Sequence, residues 1–180
     1  MYRPTIQSNL WLGLIALIFI GLYYWSDNSR VAVRPTDYSA RKQAAETMME
    51  ALETLQNYRI PAASRNISDS MLVFHTMLGD KDSPITTDEG RLEDKITVLN
   101  PNIAAAMVDM FDIAEVSRGD TAAVLLTGSM PGANIALFSA AKALGIHLVV
   151  VTSVGSSWWG ANSPDFTWLD MERVLEQSNI

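Results

Sequence analysis

The sequence predicts an α/β fold: a partial, Rossmann-like parallel sheet with flanking helices, preceded by one N-terminal transmembrane helix. Three observations predict it. Thr121–Trp168 reads strand, glycine loop, helix, strand, glycine loop, and a strand–helix–strand of that length is a βαβ unit with parallel strands and a right-handed crossover. Leu10–Trp25 is uncharged and almost wholly apolar, in the length class of a bilayer span. The composition, 48 % hydrophobic and 18 % charged over 180 residues, suits one ordinary domain with an appendage.

In chain order, residues 1–9 form a polar amino terminus with one charge, Arg3, and residues 10–26 form the transmembrane helix. Sixteen residues, Leu10–Trp25, make roughly 24 Å of helix, short of a bilayer core of about 30 Å, and Asn9 and Ser26 extend it. Trp11 at one end and Tyr23, Tyr24 and Trp25 at the other suit the two interfaces. An uncleaved anchor is favoured over a signal peptide, because SDNSRVAVRP offers no small-x-small cleavage site close to the apolar run; a buried helix is the third alternative. Arg30, Arg34, Arg41 and Lys42 after the segment weakly favour a cytoplasmic domain, although large domains translocate despite such charges, so the side stays open.

Residues 27–35 are a polar linker and residues 36–180 the α/β domain. Thr36–Tyr58 reads as an amphipathic helix with Met48, Leu52 and Leu55 on one stripe, packing on the domain or, alternatively, dimerising beside the membrane. Met71–Leu78 is an apolar run too short to assign to helix or strand. Gly79–Val98 is polar and turn-rich, punctuated by Ser83-Pro84 and Gly90, and offers Thr86, Thr87 and Lys95 as ligand contacts. Asn100 as N-cap and Pro101 at the first helical position open a helix that runs to about Val116.

Thr121–Leu126 fits a strand covered on both faces. Thr127–Gly132 breaks the chain, Ala133–Leu144 is an alanine-rich helix stopped by Gly145, and His147–Thr152 is a second buried strand. In a parallel pair, the loops after Leu126 and Thr152 leave the same carboxyl edge, where open α/β sheets bind ligands.

The first loop, with Gly128, Ser129, Gly132 and Asn134, opens a helix whose free amides favour an anion. It is neither GxGxxG nor a P-loop, so a phosphate or carboxylate is expected but no nucleotide or other cofactor is named. The second loop, long for its type, carries Ser156, Ser157, Trp158, Trp159, Asn162 and Asp165. Asp165 and Asp170 do not make a metal pair, because Asp170 forms a capping box with Thr167 for a helix over Leu169–Glu176; no metal is expected. Ser129 and Ser157 invite a serine-hydrolase mechanism, but neither lies in GxSxG, and His147 belongs at the opposite strand end while His75 approaches only if Met71–Leu78 brings it there.

A net charge of −7 argues against nucleic acid and against broad electrostatic capture of a polyanion. The absence of cysteine excludes disulfides and thiolate metal sites.

Taken in order, Ser83-Pro84-Ile85-Thr86-Thr87, then Gly90, Leu92, Lys95 and Asn100-Pro101-Asn102, then GSMPGANIA, then SSWWGANSPDFTWLDME, resemble the poly-gamma-glutamate system protein family over about residues 79–176. The resemblance implies a bacterial, membrane-anchored envelope protein that accompanies the poly-gamma-glutamate synthase and export proteins of an anionic capsule polymer. It implies no settled enzymatic activity. Two features depart from the family pattern. Trp158-Trp159 stands where one tryptophan is expected, and Ile180 comes one helix after the second clear strand, where family members continue with further α/β units. The expected partners are therefore the bilayer, the synthase and export proteins, and an anionic small molecule or polymer. An enzyme acting on the polymer or its precursor, amide hydrolase or ligase-like, and a purely structural subunit are the alternatives.

Overall fold

The computed structural model describes residues 9–29, 37–60 and 76–180. The chain divides into two units, Met1–Thr36 and Asp37–Ile180. The first holds α1 (Asn9–Asn28), of which Leu10–Asn28 is long and apolar enough to cross a membrane; a signal sequence shares those two properties. Its large side chains, Trp11, Phe19 and Trp25 among them, are exposed.

The second unit mixes helix with short sheets. In order it contains α2 (Tyr38–Arg59), β1 (Thr86–Asp88), α3 (Leu92–Thr97), α4 (Asn102–Ile113), β2 (Thr121–Thr127), α5 (Pro131–Leu144), β3 (His147–Ser153), β4 (Ser156–Ser157), β5 (Asn162–Ser163), β6 (Phe166–Thr167) and α6 (Trp168–Gln177). The core is a helical layer. The alanine-rich α5 buries Ile135, Ala136 and Ala140 between α2, which contributes Ala44, Met48, Ala51 and Leu55, and α4, which contributes Ala104 and Val108. Arg41 of α2 pairs with Asp109 of α4 at 2.6 Å. The amphipathic stripe of α2 is thus spent on packing within its own unit. Trp168 and Met171 of α6 complete the core.

β2 and β3 pair in parallel without a register shift, Thr121 opposite His147 through Thr127 opposite Ser153. Gly145, at φ 71°, ends α5 in the left-handed conformation, as a C-terminal glycine is suited to do. The expectation of strands covered on both faces is overturned. Burial alternates along β2, and Leu125 and Val151, paired across the strands, are 83 % and 61 % exposed, with Ala123 and Val149 exposed beside them. The helices cover one face only, where Ala122, Leu126 and Leu148 pack on the core.

The polar stretch Gly79–Val98 is not one loop. It contains β1 and α3. β1 pairs in parallel with β4, and β5 with β6 antiparallel, so the described residues hold three two-stranded sheets. The helix after Pro101 begins at Asn102 and ends at Ile113, short of Val116, yet the Asn102 amide donates to Asn100 Oδ1 at 3.0 Å, the cap expected of Asn100. Thr167 and Asp170 form the expected capping box at the start of α6. Of Met71–Leu78 only Thr76, Met77 and Leu78 are described, all buried; His75 and residues 61–70 lie outside the described residues.

Candidate functional site

Three loops meet at the carboxyl edge of β2 and β3, and main-chain hydrogen bonds interlace them. The Gly128 amide donates to Gly155 O at 3.1 Å, and the Ala161 amide donates to Gly128 O at 2.7 Å. The Gly79 amide donates to Gly160 O, the Trp159 amide to Asp80 O and the Trp158 amide to Asp88 O, at 2.8, 2.9 and 3.0 Å. Residues 79–90, 128–130 and 155–162 therefore form one junction. The sequence brings two of these loops to a common edge by βαβ geometry; the third arrives through β1, which pairs with β4.

At the centre lies Lys95, on α3, only 3 % exposed. Its Nζ donates to Ser157 Oγ at 2.6 Å and, at short range, to the Ser129 carbonyl. The Ser157 amide donates to Ser129 Oγ at 3.0 Å. Burial pulls the Lys95 ammonium below its ordinary value, against a smaller opposing effect of the Asp94 charge. Among the described residues no carboxylate pairs with Lys95. A buried ammonium without a counter-charge is costly, and it relieves that cost by losing a proton or gaining an anion.

The other expected residues surround this centre in different ways. Ser156 is fully buried, and its hydroxyl donates to Ser157 O at 3.1 Å. Thr87 Oγ1 donates to Ser156 O at 3.4 Å from an exposed position. Asn162 and Thr86 act as braces. Asn162 Nδ2 donates to Asp80 O and to Thr86 Oγ1, while its Oδ1 accepts from the Asp80 amide, at 2.8, 3.0 and 3.0 Å. Asn134, buried on α5, donates to Thr127 O at 2.8 Å and fastens the helix to the end of β2. Gly132 is required by close approach, but to protein: a Cβ there would stand 2.5 Å from Val98 O. Asp165 is exposed, and its charge acts on Arg59. Burial pulls that guanidinium below its ordinary value, against the opposing charges of Asp80 and Asp165.

Ser157 opens a tight turn in which the Gly160 amide donates to Ser157 O at 3.0 Å. Its third residue, Trp159, has φ 60°, where such turns ordinarily take glycine. A bulky side chain in that region stores strain, and strain of this kind gathers at functional sites. Lys81 Nζ lies 4.8 Å from the centre of the neighbouring Trp158 ring.

The direct contact of Lys95 with Ser157 escaped sequence reasoning, as did the role of Gly90. A Cβ at Gly90 would meet Trp158 O at 2.9 Å, Ser157 Oγ at 3.1 Å and Lys95 Cε at 3.3 Å, so the lack of a side chain lets the Gly90 backbone lie close against the pair. A signal was present: Leu92, Ile96 and Leu99 recur at helical spacing, and Lys95 stands on the same face. His147, exposed at the start of β3, sits at the far strand end as expected. Among the described residues no three His, Asp or Glu side chains converge to hold a metal.

No protein-family model, curated protein or solved structure matches the chain.

Proposed function

We propose that this chain is a single-pass, membrane-anchored accessory protein of poly-gamma-glutamate biosynthesis or export, and that its α/β unit is a reduced Rossmann-like domain binding a carboxylate- or phosphate-bearing ligand at the sheet edge. One observation supports the reading above others. The segments that carry the resemblance, Ser83–Thr87, Gly128–Ala136 and Ser156–Glu172, are distant in sequence yet supply the loops that interlace around Lys95. The parallel βαβ unit with a glycine loop at its carboxyl edge supports the Rossmann-like part. The apolar α1 supports the anchor. In an acidic chain the anion is held locally, by amides and hydroxyls, rather than by a basic surface.

The test has two arms. The full chain should remain in carbonate-washed membranes and co-purify with the synthase and export proteins. In detergent it should bind γ-linked glutamate oligomers more tightly than nucleotides. Extraction by carbonate at unprocessed mass refutes the anchor, and failure of both co-purification and oligomer binding refutes the polymer role.

A further inference from the structure

We propose that Ser157 and Lys95 are a nucleophile and its general base, and that the three-loop junction is an acyl-transfer site acting on an amide bond. Of the four serines at the junction, only Ser157 presents its hydroxyl oxygen to a basic nitrogen, at 2.6 Å, within proton-transfer range, while the Ser83 hydroxyl lies with Thr86 Oγ1 and the Ile85 amide. Ser156 spends its hydroxyl on Ser157 O, and Ser129 contributes its hydroxyl to the Ser157 amide and its carbonyl to Lys95. Ser129 is thus a positioning residue that holds both partners at once. Ser157 is 7 % exposed, Gly90 sets no side chain against its hydroxyl, and Trp159, at φ 60°, belongs to the turn that presents it.

The state of Lys95 suits the role. A nucleophilic serine needs an adjacent base that is neutral near working pH, and burial without a carboxylate partner is how a lysine becomes one. No histidine is required, which removes the difficulty posed by His147 at the far strand end.

The chemistry balances without a further reagent. Neutral Lys95 Nζ takes the Ser157 hydroxyl proton as Oγ bonds to the amide carbonyl carbon. The C–N bond breaks, the nitrogen receives the proton from the Lys95 ammonium, and the amine departs, leaving an ester on Ser157. Water attacks that ester and gives one proton to Lys95. The C–O bond breaks, Oγ recovers the proton, and a carboxylic acid leaves. An acceptor amine in place of water completes a transfer instead. The substrate class, a γ-linked glutamate amide, rests on the function proposed above, whereas the nucleophile–base pair does not.

The experiment uses the full chain in detergent, shown folded by cooperative thermal unfolding, with two probes: an alkyl fluorophosphonate and a γ-linked glutamate oligomer. Mass spectrometry should find one phosphonate adduct, on Ser157, formed at a rate that rises with pH as Lys95 loses its proton. Ser157→Ala should abolish it. Lys95→Met and Lys95→Arg should each slow it by about 10²-fold or more. The arginine variant separates the roles, since it restores charge and hydrogen-bond donors but cannot act as a base. Absence of an adduct on the folded chain, an adduct elsewhere, or a wild-type rate in Lys95→Arg overturns the proposal. An adduct on Ser157 with neither oligomer binding nor synthase co-purification upholds the pair and refutes the polymer reading. Oligomer binding without an adduct does the reverse.

Discussion

Gly132→Ala tests how the site is clamped. Gly132 lies in the first turn of α5, three residues after Ser129, and Val98 directly follows α3, which carries Lys95. A Cβ at Gly132 would stand 2.5 Å from Val98 O, 2.7 Å from Val98 C and 3.0 Å from the Leu99 nitrogen. All three are backbone atoms and cannot rotate away. Carbon–oxygen contacts normally stand at about 3.3–3.6 Å, so the end of α3 must retreat from α5 by about 1 Å. Overpacking of this kind costs about 1–3 kcal/mol. At about 2 kcal/mol, a unit of this size should melt about 4–8 °C lower. The same retreat draws Lys95 Nζ away from Ser129 O, so phosphonate labelling of Ser157 should slow together with the loss of stability. Scanning calorimetry and a labelling time course read the two effects. A variant that melts and labels like the wild type would refute the clamp.

Asp170 accepts hydrogen bonds from the Thr167 hydroxyl and amide, and these, with Arg173, hold its carboxyl below the ordinary range despite a small opposing effect of burial. Because its folded value is depressed, the stabilisation is present above the unfolded value and is lost as pH falls through the folded one. Asp170→Ala should therefore cost about 1 kcal/mol at pH 7, and urea unfolding curves of variant and wild type should converge below the ordinary carboxylate range. Leu55→Ala, in the core, should cost about 2–5 kcal/mol, whereas Leu125→Asn, at an 83 % exposed position, should stay within about 0.5 kcal/mol. A large loss at Leu125 in a monodisperse sample would mean that this sheet face is covered.

The elements legible in the sequence are those whose residues obey a period or a cap. β2, α5 and β3 are apolar runs separated by glycines, and Asp170 at the third position after Thr167 is a local signature. The carboxyl-edge placement of two loops followed from topology alone. What stayed hidden depends on partners. β1, β4, β5 and β6 are two- or three-residue strands of mostly polar residues, created by pairing between loops and carrying no period of their own. One-sided coverage of β2 and β3 was equally illegible, because a run such as Val149–Val151 has the same composition whether one face or two are buried. Nothing near Ser157 in the sequence marks a base for it, because the nitrogen that reaches it belongs to a lysine 62 residues earlier.

The unshifted seven-pair register of β2 and β3 works as a ruler for the junction. It sets the two strands level, so Ser129, two residues past Thr127, and Ser157, four past Ser153, start from the same height. A strand advances about 3.3 Å per residue. Inserting one residue within β3 would lift Ser157 past the Ser129 hydroxyl by about the length of the hydrogen bond that joins them, or else turn the side chains beyond the insertion to the opposite face. Length within β3 is thus constrained by the spacing of two serines outside it, while the helical layer behind the sheet is free to repack.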